Sequence, residues 1–146
     1  MEKPMETIKI KENISAFGFR VHTFPNGIKD AFDSLMNLVP DGIDRTYYGI
    51  SYMNGDEIVY HAAVQELNPG EAERYNCERY TIQKGVYKAD RVHQWMKKVH
   101  TIKDIFAEML KDECPVEGRP AIEWYLNDDE MICMARVEDH ATVESQ

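Results

Sequence analysis

The sequence predicts an α+β domain made of duplicated strand–helix–hairpin units, forming an antiparallel sheet with two helices around a central cleft. Two internal matches are the basis of this prediction. The segment NGDEIVYHAAVQE at 54–66 is similar to NDDEMICMARVED at 127–139, and IKDAFDSLM at 28–36 is similar to IKDIFAEML at 102–110. The members of the two pairs are 73 and 74 residues apart. Two matches in the same order at nearly one offset indicate an internal repeat.

The repeat divides a single domain, 1–146, into pseudo-repeats of about 8–67 and 78–139. A chain of this length is typical of one domain. The segment LNPGEAE at 67–73 is predicted to link the two halves, since it combines Pro and Gly with charged residues. Neither half is large enough to bury a helix and a sheet by itself, so the halves are expected to pack together around a pseudo-twofold axis.

Each half follows the same order of predicted elements. Apolar residues at intervals of three and four predict amphipathic helices in 28–39 and 102–110. Both are followed by a Pro and then a Gly, which end helices. Alternation around Phe17 and Phe19 predicts a strand before the first helix. After each helix, two apolar runs flank a turn that begins with an Asn, which predicts a hairpin.

The charge and the cysteine pattern restrict the function classes. Asp and Glu outnumber Lys and Arg by 26 to 17, for a formal net charge of −9. This balance argues against nucleic acid and anionic membranes and is compatible with cationic ligands. The three cysteines (Cys77, Cys114 and Cys133) lack paired spacing, and no long apolar segment is present. These features predict a cytoplasmic protein with reduced thiols.

One acidic residue lies within an apolar strand. In PAIEWYL, Glu123 is placed between Ile122 and Trp124. At the offset of 73, Glu123 corresponds to Ile50 in the first half. Because strand side chains alternate, Ile50 would share its face with two tyrosines, so Glu123 is predicted to point at an apolar, aromatic surface. The alternative is that Ile122 and Trp124 face the core while Glu123 faces solvent, as is common in antiparallel strands.

The duplicated unit, with IKDIFAEML, the Pro/Gly turn after it and IEWYLNDDE followed by MICMARV, resembles the GyrI-like small-molecule-binding domain. This is the effector-binding domain of certain bacterial transcription regulators, and the resemblance covers about 8–139. It implies eight antiparallel strands, two helices and a cleft between the halves. It also implies that lipophilic, often cationic, compounds bind in an aromatic pocket above a glutamate that corresponds to Glu123. Some stand-alone members are reported as hydrolases of electrophilic small molecules that use the same acid with an aromatic hydroxyl.

The chain departs from the regulators in lacking a helix-turn-helix segment ahead of the domain. Together with the acidic charge, this predicts a stand-alone member without direct nucleic-acid binding. Glu123 is the expected polar anchor, and the expected aromatic walls come from both halves. The wall candidates are Tyr48, Tyr52, Tyr125, Trp95, Phe19 and Tyr87. One residue of the Tyr60–His61 pair is also expected to face inward.

Three functions remain open from the sequence. The first is a binder of lipophilic, probably cationic, small molecules. The second is a hydrolase of electrophilic molecules that uses Glu123 with a tyrosine as acid and base. The third is a protein-interaction or inhibitor module that uses the acidic surface. Among the five histidines and three cysteines no compact ligand spacing occurs, so neither a metal nor a cofactor is predicted.

Overall fold

The structure, a computed structural model, describes residues 6–24, 26–110, 115–116 and 118–136. It confirms the predicted α+β class: one eight-stranded antiparallel sheet with helices packed on one face. The strands are β1 (Glu6–Ile10), β2 (Ile14–Arg20), β3 (Tyr47–Asn54), β4 (Glu57–Gln65), β5 (Glu78–Ile82), β6 (Gly85–His93), β7 (Ala121–Tyr125) and β8 (Glu130–Arg136). The helices are α1 (Ile28–Leu38), α2 (Glu71–Arg74) and α3 (Val99–Met109).

Two features of this architecture were not expected from the sequence. The first is α2, a short third helix within the segment predicted as a linker. Its first residue, Glu71, is fully buried and forms a bidentate ion pair with Arg45, in which both N–O distances are 2.8 Å. The linker is therefore packed against the sheet. The second stop signal, at 114–118, lies partly outside the described residues, as does Cys114; Cys77 and Cys133 are free thiols.

The second unexpected feature is an exchange of edge strands. The strand order is β1-β6-β8-β7-β3-β4-β2-β5. β1 precedes the first helix in the chain, yet it pairs with β6 of the second half; β5 in turn pairs with β2 of the first half. Each half thus supplies the outer strand of the other. At the centre, β3 and β7 pair antiparallel from Tyr47–Tyr125 to Ser51–Ala121.

The short connection between β5 and β6 requires the sheet to curl. These strands stand six positions apart in the sheet, which would be about 29 Å in a flat sheet. Only Gln83 and Lys84 separate them in the chain, and three peptide units reach no further than about 11 Å. The sheet therefore bends round until its two ends approach each other. One face of the sheet is enclosed by this curl, and the other is covered by helices.

We call these the inner face and the helical face. The inner face carries a buried cluster that includes Tyr48, Ile50 and Ile122. The helical face carries two clusters, one packed under α1 around Phe17 and Leu35, the other under α3. Because both faces are buried, the central strands are apolar nearly throughout. In the described part of the chain, no helix is long and apolar enough to cross a membrane.

Candidate functional site

Glu123 lies on β7, near the middle of the sheet, and its side chain is on the helical face. It is directly opposite Gly49 on β3 and Cys133 on β8. Its neighbours in sequence, Ile122 and Trp124, belong to the inner face. Both alternatives from the sequence are therefore correct in part: Ile122 and Trp124 do face a core, while Glu123 faces a second apolar surface and is only partly exposed.

Two tyrosines hold the carboxylate. Tyr60 on β4 and Tyr125 on β7 each donate a hydrogen bond from the phenol oxygen to Oε1 of Glu123, and both distances are 2.7 Å. Tyr125 is two residues beyond Glu123, so strand alternation places both side chains on one face. Tyr60 reaches the carboxylate from two strands away. Both bonds end on the same oxygen, and the described residues place no donor on Oε2.

A glycine provides the space for this contact. An ideal Cβ at Gly49 would lie 2.2 Å from the Tyr60 hydroxyl and 2.3 Å from Oε1 of Glu123. These distances are far shorter than any non-bonded contact that a real Cβ makes. The phenol of Tyr60 therefore crosses above β3 at the one position where the strand has no side chain.

Burial dominates the electrostatics of this group. It raises the pKa of the Glu123 carboxyl, whereas the hydrogen bonds from Tyr60 and Tyr125 act in the opposite direction. Burial also raises the pKa of both phenols well above the ordinary tyrosine value, and the charge of Glu123 adds to this effect. The tyrosines are therefore neutral donors at physiological pH. Among the described residues, no Lys or Arg forms a salt bridge with Glu123.

Aromatic rings from outside the sheet cover the two tyrosines. Phe24, in the connection between β2 and α1, stacks on Tyr60 with 4.8 Å between ring centroids. Trp95, in a short 3₁₀ turn before α3, packs edge-on against Tyr125 at 4.9 Å. Phe32 of α1 makes a further edge contact with Tyr125 at 5.6 Å. We call Tyr60, Tyr125, Phe24, Phe32 and Trp95 the aromatic enclosure of Glu123.

The structure brings some of the predicted wall residues to Glu123. Tyr125 binds the carboxylate directly, and Trp95 packs against Tyr125 as part of the enclosure. Phe19 is also on the helical face. It pairs with Ala62, Ala62 pairs with Gly49 on its other side, and Gly49 pairs with Glu123, so the four residues form one row across the sheet. Tyr125, Trp95 and Phe19 therefore lie on the same side of the sheet as Glu123.

The shared face predicted for Tyr48, Tyr52 and Glu123 is wrong. Tyr48 is opposite Trp124, and Tyr48 and Tyr87 both belong to the inner-face cluster. Tyr52 packs against His61, also on the inner face. The structure thus places Tyr48, Tyr52 and Tyr87 on the opposite side of the sheet from Glu123.

The physical reason is a one-residue difference between the hairpins. Tyr60 pairs with Ser51 in the first hairpin, and Cys133 pairs with Glu123 in the second. Tyr60 and Cys133 are 73 residues apart in the sequence, whereas Ser51 and Glu123 are 72 apart. If β4 and β8 correspond at the offset of 73, then Glu123 corresponds to Ser51 and not to Ile50. A slip of one residue moves every side chain of a strand to the other face.

Tyr60 is a residue of the candidate site that the sequence did not single out. The sequence does not distinguish Tyr60 from His61 as the inward-facing residue. In the structure, Tyr60 faces Glu123 and His61 is on the inner face. Phe24 and Phe32 were also missed as members of the enclosure. Phe32 has the spacing of an ordinary core residue of an amphipathic helix, so the sequence carried no signal for its contact with Tyr125.

In the described part of the chain, no group of three or more His, Cys, Asp or Glu residues is arranged to hold a metal ion. What the site offers instead is one carboxylate, two neutral phenols and an apolar aromatic surround. Such a set can bind a cation or exchange a proton. Cys133, beside Glu123, is buried with its thiol pKa raised, which disfavours a nucleophilic thiolate there.

The sequence matches no protein-family model and no curated protein significantly. Solved structures do match. An integron cassette protein from the mobile metagenome of Vibrio cholerae, VCH_CASS2, has a TM-score of 0.65 at 14% identity, over 92% of this chain and 95% of the other. The protein SAV2435, solved bound to tetraphenylphosphonium, has a TM-score of 0.56 at 13% identity, over 94% and 95% of the two chains.

A putative transcription regulation protein from Staphylococcus aureus MU50 has a TM-score of 0.52 at 10% identity, over 93% of this chain and all of the other. At such identities the likeness concerns the fold alone. The chain therefore shares its α+β fold with these three proteins, which is consistent with the GyrI-like domain that its sequence resembles.

Proposed function

We propose that the protein binds lipophilic cations on the helical face of its sheet, with Glu123 as the anionic anchor. The observation that carries the proposal is the arrangement at Glu123: a desolvated carboxylate, fixed by two phenols, inside the aromatic enclosure. The described residues supply no salt-bridge partner for this carboxylate. A partly buried carboxylate without a cation carries a desolvation cost, and a cationic ligand would offset that cost.

The enclosure suits a cation whose charge is spread over an apolar body. Aromatic faces attract cations by about 0.5–2 kcal/mol each, and the attraction is greatest where water is excluded. A small, strongly hydrated cation would lose its water shell at such a site. A large organic cation has a weak shell and gains from contact with Phe24, Phe32 and Trp95. The net charge of −9 further favours the approach of cations.

One structural neighbour supports the same ligand class, since SAV2435 was solved with tetraphenylphosphonium, a lipophilic cation. The neighbour described as a putative transcription regulation protein is compatible with an effector-binding origin of the fold. The finer features of the proposal, namely the anchor role of Glu123 and the aromatic walls, depend on the geometry of this chain.

We expect the enclosure to open when a ligand as large as tetraphenylphosphonium reaches Glu123, because Phe24 and Trp95 pack on the two tyrosines that hold the carboxylate. Phe24 and Trp95 are on connections that precede α1 and α3 and lie outside the sheet. Connections of this kind rearrange at lower free energy than the strands they join. We therefore expect these rings to move aside when a ligand enters, while Tyr60 and Tyr125 remain with the sheet.

The test is a titration of the wild type and of Glu123→Gln with tetraphenylphosphonium and with triphenylphosphine oxide, a neutral compound of related shape. Trp95 serves as the fluorescent reporter because its ring contacts Tyr125. The expected result is saturable binding of the cation that is weakened at least tenfold by Glu123→Gln, with little change for the neutral compound. Glu12→Gln, which removes an exposed carboxylate elsewhere, should behave like the wild type. Equal affinity of Glu123→Gln and wild type for the cation would refute the anchor role.

One observation favours a second function, a hydrolase. A carboxyl group with a raised pKa next to two neutral phenols has the components of a general acid–base site. Incubation with a simple epoxide such as styrene oxide, followed by NMR, distinguishes turnover from binding. Formation of the diol that disappears with Glu123→Gln would establish the enzyme, whereas unchanged epoxide at high protein concentration would exclude this substrate class.

A further inference from the structure

A cavity lies on the inner face, on the opposite side of the sheet from Glu123. Its volume is about 310 Å³, and residues of the six strands β3 to β8 and of the segment just before β7 line it. Isoleucines form its apolar part: Ile50, Ile82 and Ile122 all line it, and each is almost completely buried. The cavity is large enough for a small organic molecule with one or two rings.

A polar cluster is built into the wall of this cavity. His61 is buried, and a hydrogen bond of 2.8 Å joins its Nδ1 to the phenol oxygen of Tyr80. Tyr80 also donates to Oε1 of Glu78 at 3.1 Å, and its ring packs against that of His61. Tyr52 also packs against His61, with 5.9 Å between the ring centroids. Buried polar groups are normally fixed by hydrogen bonds, and here they converge on a space that no side chain fills.

Three arginines also line the cavity. Arg79 forms ion pairs with Glu66 and Glu73, and the other two are Arg119 and Arg136. Arg136 is held in place by a hydrogen bond of 2.5 Å from its Nη1 to the side-chain oxygen of Gln83. Gln83 belongs to the connection where the two ends of the curled sheet approach each other. Three arginines at one cavity are more than expected in a chain with 26 acidic and 17 basic residues. Guanidinium groups bind carboxylates with paired, charge-assisted hydrogen bonds.

The two sites are chemically opposite. Ile122 lines the inner cavity, whereas the next residue, Glu123, faces the aromatic enclosure on the other side of the strand. The helical-face site offers a carboxylate and aromatic rings to a cation. The inner cavity is lined by three arginines and one acid, Glu78, whose carboxylate accepts a hydrogen bond from Tyr80. Its other parts are the histidine–tyrosine pair and an isoleucine floor. A ligand suited to one is therefore unsuited to the other.

We propose that the inner-face cavity is a second ligand site, which takes a small aromatic carboxylate. Its flat apolar body would lie against Ile50, Ile82 and Ile122, and its carboxylate would face Arg119 and Arg136. The Tyr80 and His61 pair would border the ring and add polar contacts at its edge. The site is independent of the cation site, so a protein that binds no cation at Glu123 can still bind a carboxylate here.

The test uses 2-naphthoate as the probe and 2-naphthamide as a neutral compound of the same shape, measured by isothermal titration calorimetry. The expected result is one naphthoate per chain, bound roughly tenfold or more tightly than the amide. Arg136→Gln and Arg119→Gln should each reduce naphthoate affinity by roughly tenfold and leave the amide unchanged. Two variants are needed because Arg136 also binds Gln83, so its loss can loosen the fold.

Lys29→Gln is the matched control, because it removes one positive charge from an exposed position on α1, far from the cavity. It should bind naphthoate like the wild type, as should Glu123→Gln. The proposal is overturned if naphthoate does not bind, if both arginine variants bind it like the wild type, or if Glu123→Gln abolishes binding. Loss of cation binding with retention of naphthoate binding in Glu123→Gln would confirm that the two sites are separate.

Discussion

Gly49 and Glu123 lie directly opposite each other in the β3–β7 pair, and the absent side chain of Gly49 provides the space in which Tyr60 meets the carboxylate. The site thus depends on a backbone position that carries no functional group. A residue of this kind cannot be recognised by its chemistry. It is recognised only by what an added methyl group would displace.

Gly49→Ala is expected to destabilise the fold by about 1–3 kcal/mol, as overpacking of a filled core does. The new methyl group would contact the Tyr60 hydroxyl and Oε1 of Glu123 at impossible distances, so their hydrogen bond must break or the strands must shift. Urea denaturation measures the loss. Gly118→Ala, with no atom within 4 Å of the added Cβ, is the control and should be nearly neutral. A smaller loss for Gly49→Ala in a Tyr60→Phe background would identify the hydroxyl as the obstacle.

Tyr60→Phe and Tyr125→Phe should each destabilise the protein by about 1.5–3 kcal/mol at pH 7, the range for hydrogen bonds to charged groups. Each substitution removes a donor to Oε1, so the pKa of Glu123 should rise further. The loss should shrink at a pH low enough to protonate the carboxyl. Tyr87→Phe is the control, since that hydroxyl donates to a neutral backbone carbonyl of Gln83. A pH-independent loss for all three variants would contradict the charged state of Glu123.

The fold class could be predicted because it depends on local patterns. Helical spacing in 28–39 and 102–110, and turn residues between apolar runs, specify α1, α3 and both hairpins without knowledge of distant contacts. The exchange of β1 and β5 between the halves depends on pairing of strands far apart in the chain, which no local pattern encodes. The helix α2 is too short to produce a period.

The candidate site was predictable only where local sequence pattern determines it. An acid in an apolar strand indicated that Glu123 was special, and strand alternation tied Tyr125 to it. The face was not predictable from the repeat, because the hairpin registers differ by one residue and Tyr48 and Tyr52 consequently lie on the inner face. Tyr60 needed the cross-strand register, which only the structure provides.

Glu123→Gln is expected to stabilise the protein at neutral pH. Burial raises the pKa of this carboxyl in the folded state, so folding favours its protonated form. The stability that the protonated Glu123 carboxyl contributes is fully present below the ordinary glutamate pKa. It is lost as the pH rises through the raised pKa of the folded state. The difference in Tm between Glu123→Gln and wild type should therefore increase between pH 4 and pH 7, to a few degrees. The control Glu12→Gln should show no such trend; a variant that is less stable than wild type at pH 7 would contradict the argument.

Trp95→Leu should weaken binding of tetraphenylphosphonium by roughly 2- to 30-fold, which corresponds to the loss of one cation–π contact of about 0.5–2 kcal/mol. Leucine keeps an apolar surface against Tyr125 while removing the aromatic face. Calorimetry is the appropriate measurement because the fluorescent reporter is lost. Binding of triphenylphosphine oxide should change less, since it carries no net charge. An equal loss for both compounds would indicate that Trp95 contributes packing only.

Glu71→Gln should be strongly destabilising, by about 3–5 kcal/mol, because it leaves Arg45 buried without its counter-charge. The Arg45 guanidinium, together with backbone donors from Leu67 and Asn68, lowers the pKa of Glu71 to about 2. A depressed pKa contributes stability that is present above the ordinary glutamate value and is lost as the pH falls towards 2. The wild type should therefore lose about 3 kcal/mol of unfolding free energy from this group over that range.

Denaturation curves at pH 7, 4 and 3 test this expectation. The gap between wild type and Glu71→Gln should be largest at pH 7 and should narrow as the acid is protonated. Glu73→Gln is the matched control, because Glu73 is exposed on the same short helix and pairs with a partly exposed Arg79. Its effect should stay below about 1 kcal/mol at every pH, as for surface ion pairs in general. If Glu71→Gln and Glu73→Gln cost the same, the buried pair does not anchor α2 and the linker to the sheet.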